Sequence, residues 1–379
     1  MRSTASRRRS SPREHPLPWA VLAVVLVVAG VLAAPPRPQP VTDPWGYVPT
    51  LGDEPEEAWA LPGSFENLWV FARAVVVAGP GGITAPATHS GRELWTIEAD
   101  EPRCTSGGLQ LTCVTGADLV QTIDPRTGST EDWSVPTAVA AAAVGGGLVA
   151  VTARDIRRIA ADGQVQWASE AVFARTLQAG PAVLDGAVLA SAIGQSAPGV
   201  LLDADTGAEL VPEGARAAVT PVREGLWRAQ HADTTRLYSR GQDVRSVRGP
   251  VSWMVTAADP DDIRELEPKE DRRWLPFAFL PSATLGFEAS REHGPGVLIA
   301  EDPASRAEQW RLADVQLFGA PILGPHTLLY SDTTQLRAVD LDTGRLAWAI
   351  DPGAPILKLT SDGDRLYLLT ENGISTWTW

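Results

Sequence analysis

A chain of 379 residues, 44% of them hydrophobic, can bury a sizeable core as two average domains or one large repetitive β-domain. Its 34 glycines and 31 prolines make up about 17% of the sequence, the range of turn-rich β-structure and not of disorder or collagen. A formal charge of −14 excludes nucleic acid and anionic lipid as partners of the surface at large, because both demand extended basic patches.

In chain order the first element is a basic tail, residues 1–16, with Arg2, Arg7, Arg8, Arg9 and Arg13 against Glu14. Removing this +4 segment from the whole-chain −14 leaves the remainder at −18. Leu17 to Ala34 follows, 18 residues without a charge, about the minimum for crossing a hydrocarbon layer of roughly 30 Å. The arginine excess on its N-terminal side predicts a cytoplasmic N-terminus and a single-pass membrane anchor. A cleaved signal peptide is the alternative, with Val31-Leu32-Ala33 as the cleavage site and a secreted product. Prolines at 35, 36, 38 and 40 predict a stiff, extended linker over residues 35–55. Either way residues 41–379 are expected to reach the outside of the cytoplasm.

From there the chain repeats. EEAWALP (56–62) stands alone. Copies of a strand–turn–strand–corner–strand unit then end at Trp95 (HSGRELW), Trp133 (QTIDPRTGSTEDW), Trp167 (with Asp162-Gly163 at its corner), Val211 (LLDADTGAELV, which has lost its Trp), Trp310 and Trp348 (AVDLDTGRLAW). Trp95, Trp133 and Trp167 lie 38 and 34 residues apart, and Trp310 and Trp348 lie 38 apart. Each copy holds strands of four to six residues, alternating or fully apolar, and four such strands in about 40 residues make one propeller blade.

The recurring Asp-x-x-Thr-Gly is predicted to be a corner. Its Asp can accept bonds from backbone N–H groups two residues on, and its Gly can take positive φ. The Trp that opens the outer strand is predicted to wedge between neighbouring blades. The stretch 215–250 is poorly patterned. Trp253 to Trp310 is 57 residues, an excess over the period that contains ADPDDIRELEPKEDRRW. This excess is expected to be a solvated surface insertion, because Asp259, Asp261 and Asp262 lack the glycine and spacing of a calcium loop.

The pattern Asp-x-x-Thr-Gly-x-x-x-Trp along a β-rich chain resembles the pyrroloquinoline-quinone-like repeat propellers over residues 57–379. That family includes quinone-dependent alcohol dehydrogenases, the lipoprotein subunit of the outer-membrane barrel-assembly machine, and extracellular sensor domains of kinases. The resemblance implies an all-β propeller over residues 56–379. Counting outer strands gives eight blades, or seven if 215–250 is not one. The last copy lacks an outer strand, so the strand at 56–62 is expected to complete it and leave no free edge.

Chemistry is sparse. Histidines 15, 89, 231, 293 and 326 show no ligand spacing, and no nucleophile elbow, zinc-protease helix or phosphate loop occurs. The glycine runs 80–82 and 145–147 precede strands. Cys104 and Cys113, the two cysteines, flank a Gly107-Gly108 turn that would place them face to face. In an oxidising compartment they are read as a disulfide, with two buried thiols as the alternative. The quinone enzymes carry a disulfide between adjacent cysteines over the cofactor, which this spacing cannot form. Asp302, Glu371 and Asn372 offer the residue types of a base and a calcium pair but fall at predicted turns. No catalytic, cofactor or metal residue is assigned. The expected function is a membrane-anchored, extracytoplasmic, non-catalytic scaffold that binds an envelope protein or other ligand through its loops. A sensor module and a quinone-dependent oxidoreductase are the alternatives.

Overall fold

The computed structural model describes Val48 and residues 51–379, except 107–108, 117, 153, 171–180, 185, 192–198, 212–217, 224–225, 231–233, 240–241, 249–251, 257–258, 267–273, 289–294 and 318–320. The basic tail, the apolar segment 17–34 and most of the linker therefore lie outside the described residues. Among those described, no helix is long and apolar enough to cross a membrane.

The repeat folds into antiparallel meanders. Sheet 1 runs Asn67–Val70, Val75–Gly79, Gly82–Pro86, Glu93–Glu98, each strand paired to the next. Its second strand, VVVAG, is buried along its whole length, while the fourth, ELWTIE, is exposed or half-buried. That gradient is what a sheet standing between two others requires, with the first strand at the axis and the last at the rim. Sheets 2 (103–134), 3 (138–170), 5 (218–248) and 7 (322–350) repeat the four-stranded order. The poorly patterned stretch 215–250 is thus a full sheet.

Sheet 4 (182–203) has three strands. This copy has no Trp in its outer segment, and beyond its corner the described residues pair through the bridge Leu202 to Glu209 and the bond from Leu210 N–H to Leu201 O at 2.8 Å. Seven sheets have four or more strands and are complete blades; sheet 4 is the short member.

Sheet 8 is closed by the N-terminal strand, as its missing outer strand predicts. Glu56–Pro62 pairs antiparallel with Gly373–Thr378, from Glu56 opposite Thr378 to Pro62 opposite Gly373. Apolar cores then join successive sheets around the ring. Sheets 1 and 2 share Val76, Ile83 and Leu111. Sheets 8 and 1 share Tyr367, Leu369, Val75 and Val77, with Trp59 and Leu61 packed on them. The architecture is an all-β propeller.

Two regions depart from expectation. The acidic excess, expected as a surface insertion, contains two paired strands: Ser252–Thr256 and Asp259–Leu266 pair antiparallel, and the first is tied in parallel to Trp274–Phe279 at the pair Thr256 and Phe279. Since Trp274–Phe279 is the first strand of its blade, the hairpin lies on the axis side, and its leading strand also lies against Ala218–Arg223 of sheet 5. An innermost strand presents unpaired N–H and C=O groups, and adding a strand satisfies them. The linker, in turn, ends inside the body. Val48 N–H donates to the Leu323 carbonyl at 2.6 Å. Val48 and Leu51 are buried with Ile322, Leu336 and Ile356, because these two apolar residues find an apolar floor between sheets 7 and 8.

Candidate functional site

The corners decide what the repeat can do chemically. In sheet 4 the Asp203 carboxylate accepts from Thr206 N–H and from the Thr206 hydroxyl, both at 2.7 Å, and from Asp205 N–H at 3.1 Å. Asp302 repeats this with Ala304 and Ser305, and Asp340 with Thr343. Asp124 accepts from Arg126 N–H at 2.8 Å and from the Arg126 guanidinium. These bonds hold all four carboxyls below the usual carboxylate range. The leading cause is the Thr206 hydroxyl for Asp203, Ser305 N–H for Asp302, the Thr343 hydroxyl for Asp340 and the Arg126 side chain for Asp124. An acid held ionised by its own turn is a poor proton donor.

The same corners receive the tryptophans. Trp95 Nε1 donates to the Pro125 carbonyl, Trp167 to Ala204 and Trp310 to Leu341, at 3.0, 3.1 and 2.7 Å. Each acceptor is the residue after the corner Asp in the next sheet, and each indole lies over the corner glycine. Trp133 differs. It donates to Thr122 of its own sheet, because the next corner, Ala160–Gln164, is a shorter turn.

Sheet 1 has the same corner without the acid. Ala87 N–H donates to Arg92 O and Gly91 N–H to Ala87 O, as their counterparts at Asp124, Asp203 and Asp340 do. Trp59 of the closing strand donates to Thr88 O at 3.0 Å. Beside this corner lies a groove of about 780 Å³, lined by Arg73, Ala87, Thr88, His89, Leu94, Arg126 and Thr127. That volume falls in the range of ligand sites. It runs between the corners of sheets 1 and 2, and the Trp59 and Trp95 hydrogen bonds fix its two walls.

Within the groove, His89 Nδ1 is bonded to the Thr88 hydroxyl at 2.8 Å, which leaves Nε2 as the free ring nitrogen. Arg126 forks onto Asp124, and that carboxylate raises its pKa further above the ordinary value. Arg73 is exposed and has no side-chain partner among the described residues. Leu94 is 38% exposed and gives the groove an apolar side.

Of the residues singled out in the sequence, Cys104 and Cys113 stand directly opposite on the first two strands of sheet 2 and form a disulfide with Cα atoms 4.0 Å apart. Asp302 is a corner residue, and Glu371-Asn372 is the turn between Arg365–Thr370 and Gly373–Thr378. His326 faces Asp342 at 3.4 Å on an exposed corner, far along the chain from His89. His15, His231 and His293 lie outside the described residues. No group of three or more His, Cys, Asp or Glu able to hold a metal occurs among the described residues. The groove was missed in the sequence because its residues come from three separate turns. The signal that could have found it is the corner whose Asp is replaced by Ala87.

No protein-family model matches the chain, and no curated protein matches it. Solved structures do resemble it. BamB from Moraxella catarrhalis is 16% identical, covering 86% of this chain and 98% of that one, with a TM-score of 0.53. A europium-containing methanol dehydrogenase is 11% identical over 83% of this chain and 84% of that one, TM-score 0.48. Sqt1 of Saccharomyces cerevisiae is 10% identical over 88% and 99%, TM-score 0.46. The likeness is one of fold, a β-propeller.

Proposed function

We propose that this protein is a non-catalytic propeller scaffold, held at the outer face of the cytoplasmic membrane by residues 17–34 with its N-terminus inside, and that it binds a protein partner through its corner loops. We count the three-stranded sheet as an eighth, shortened blade, since it shares a core with sheet 3 through Val188, Ala190 and Leu202 and with sheet 5 through Ala187, Leu201 and Trp227.

One observation carries the non-catalytic reading. The acids that recur along the chain, Asp124, Asp203, Asp302 and Asp340, are each occupied in capping their own turns. The groove holds no carboxylate or thiol against its histidine. The quinone and calcium that the repeat family implies do not fit the residues present. The disulfide joins residues 9 apart in sequence, and Asp302 is spent on Ala304 and Ser305. The innermost strand of sheet 6 carries a further hairpin toward the axis.

The test is crosslinking of the full chain in intact membranes, followed by identification of the captured protein, with protease added to spheroplasts carrying a tag at residue 1. Capture of one envelope protein, with the body digested and the tag protected, is the expected result. Dye-linked oxidation of alcohols by the purified protein with added quinone and calcium would overturn it.

A further inference from the structure

We propose that the groove between sheets 1 and 2 binds an acidic segment of a partner polypeptide, a carboxylate side chain next to an apolar one, with Arg73 and His89 taking the carboxylate and Leu94 the apolar neighbour. The proposal rests on the scaffold reading above and names the chemistry of its partner.

Four features point to this ligand. The groove is basic on a body whose charge, without the arginine tail, is −18. Its lining contains two arginines, a histidine and no acid. At the five-residue corners of sheets 2, 4, 6 and 7 an Asp stands where sheet 1 has Ala87, so the groove lacks the carboxylate that the repeat would otherwise place in it. The missing acid is not needed for the turn, which keeps its backbone bonds and its Trp59 contact.

The donors differ in readiness. Arg126 is forked onto Asp124 and presents a largely neutralised pair. The Arg73 side chain has no partner among the described residues and can offer its planar fork to a carboxylate, the geometry in which guanidinium recognition is strongest. The His89 ring is oriented by Thr88, and the walls are pinned by two tryptophans, so little ordering is lost on binding. Leu94 and Ala87 give the groove an apolar side that a free phosphate or a small inorganic anion would leave unused. An acidic residue followed by a leucine uses both.

The test is fluorescence polarisation with the full chain in detergent and a labelled hexapeptide, Gly-Glu-Asp-Leu-Gly-Gly, against its counterpart with Gln and Asn for Glu and Asp. The acidic peptide should bind at least about tenfold more tightly, and Arg73→Ala should lose about tenfold, as expected for one charge-assisted pair. Arg345→Ala, on the corner of sheet 7, should change nothing. Leu94→Ser should weaken both peptides alike. Inorganic phosphate at about 10 mM should compete only weakly. Equal binding of the two peptides, full affinity in Arg73→Ala, or no saturable binding at about 1 mM peptide would overturn the assignment. Partner capture that persists in Arg73→Ala would discard the groove and leave the scaffold standing. Loss of capture in the wild type would discard the scaffold itself.

Discussion

If the Asp-x-x-Thr-Gly corner is a socket for the preceding sheet's tryptophan, a methyl group on its glycine must cost more than the same methyl on a corner that receives none. Gly344 and Gly163 make the comparison. Both have positive φ, +68° and +82°. A Cβ on Gly344 would lie 2.6 Å from the Trp310 ring, whereas one on Gly163 meets nothing within 4 Å. Gly163→Ala should therefore cost only the left-handed conformation, about 1–2 kcal/mol. Gly344→Ala carries the same strain and must also push back a buried, rigid indole, an overpacking cost of about 1–3 kcal/mol. If the ring moves, its 2.7 Å bond to Leu341 O weakens, worth about 1 kcal/mol more. The expected total is about 3–6 kcal/mol, at least about two kcal/mol beyond Gly163→Ala.

Thermal melts of the purified protein read the difference directly. At this size each kcal/mol moves the midpoint by about 2 °C, so the two variants should separate by several degrees. Trp310→Ala supplies the decisive background. There the excess of Gly344→Ala over Gly163→Ala should vanish, giving a coupling of about 2 kcal/mol between two residues in direct contact. Equal shifts for the two glycines, or an excess that survives in Trp310→Ala, would refute the socket. The protein already contains one natural counterpart: at the corner of sheet 6 the glycine position is Arg306, at φ 59°, and the preceding outer strand, Gln242–Arg248, has no tryptophan.

Three further outcomes are expected. Cys104→Ser with Cys113→Ser should lose about 2–3 kcal/mol, the chain-entropy value for a loop of about ten residues, and the denatured wild type should show no free thiol; two reactive thiols would refute the bond. Removing residues 1–45 should leave a cooperatively folded body, because Val48, Leu51 and the closing strand remain. Removing 1–64 should cost at least about 3 kcal/mol and promote aggregation through the exposed edge of Gly373–Thr378, and equal midpoints for the two truncations would contradict that. The lowered carboxyls of Asp124, Asp203, Asp302 and Asp340 stabilise the fold above the ordinary carboxylate range, and this contribution is lost as pH falls through their lowered values. Melts between about pH 7 and pH 2.5 should therefore show a steep acid limb below about pH 4, shallower in Asp340→Asn, and an unchanged limb in that variant would count against the corner bonds.

The readable part of the sequence was the part that repeats. Periodicity exposed the corner Asp, the corner Gly and the docking Trp, since each appears several times in one register. The orphan strand around Trp59 could be assigned to sheet 8 because its likeness to GRELWTI and the missing outer strand pointed to one solution. The rest depends on which surfaces are left over once the ring has formed. Asp259–Leu266 becomes a strand by pairing with Ser252–Thr256, the strand tied to the inner edge of Trp274–Phe279, and no local signal announces it in an acid-rich segment. Val48 and Leu51 read as linker because they stand among prolines with no periodic pattern, and their docking floor comes from residues more than 250 positions away. The groove unites residues 73, 87–94 and 126–127, which no spacing rule links.

In a closed repeat, residues shared by every copy are explained by the fold, so function is best sought where a copy departs from the pattern without a structural reason. Several departures are visible among the described residues. Sheet 4 has lost its tryptophan, and three strands are defined among its described residues. Arg306 replaces glycine where no indole arrives from the preceding outer strand; its guanidinium lies 5.6 Å from the centroid of the Trp274 ring and pairs with the buried Glu301 at 3.6 Å. The hairpin on sheet 6 completes an inner edge. Ala87 is different in kind. Its corner has the same backbone bonds as the others, the same positive-φ glycine at Gly91 and the same indole N–H arriving from the preceding strand. An Asp there would find the N–H groups that Asp124, Asp203 and Asp340 use, and the turn would gain from it. What the fold forgoes at this corner is a negative charge, and the place where it is forgone is the wall of a groove that carries an unpaired arginine. A surface that gives up a stabilising cap and so keeps its positive field has a use for that field.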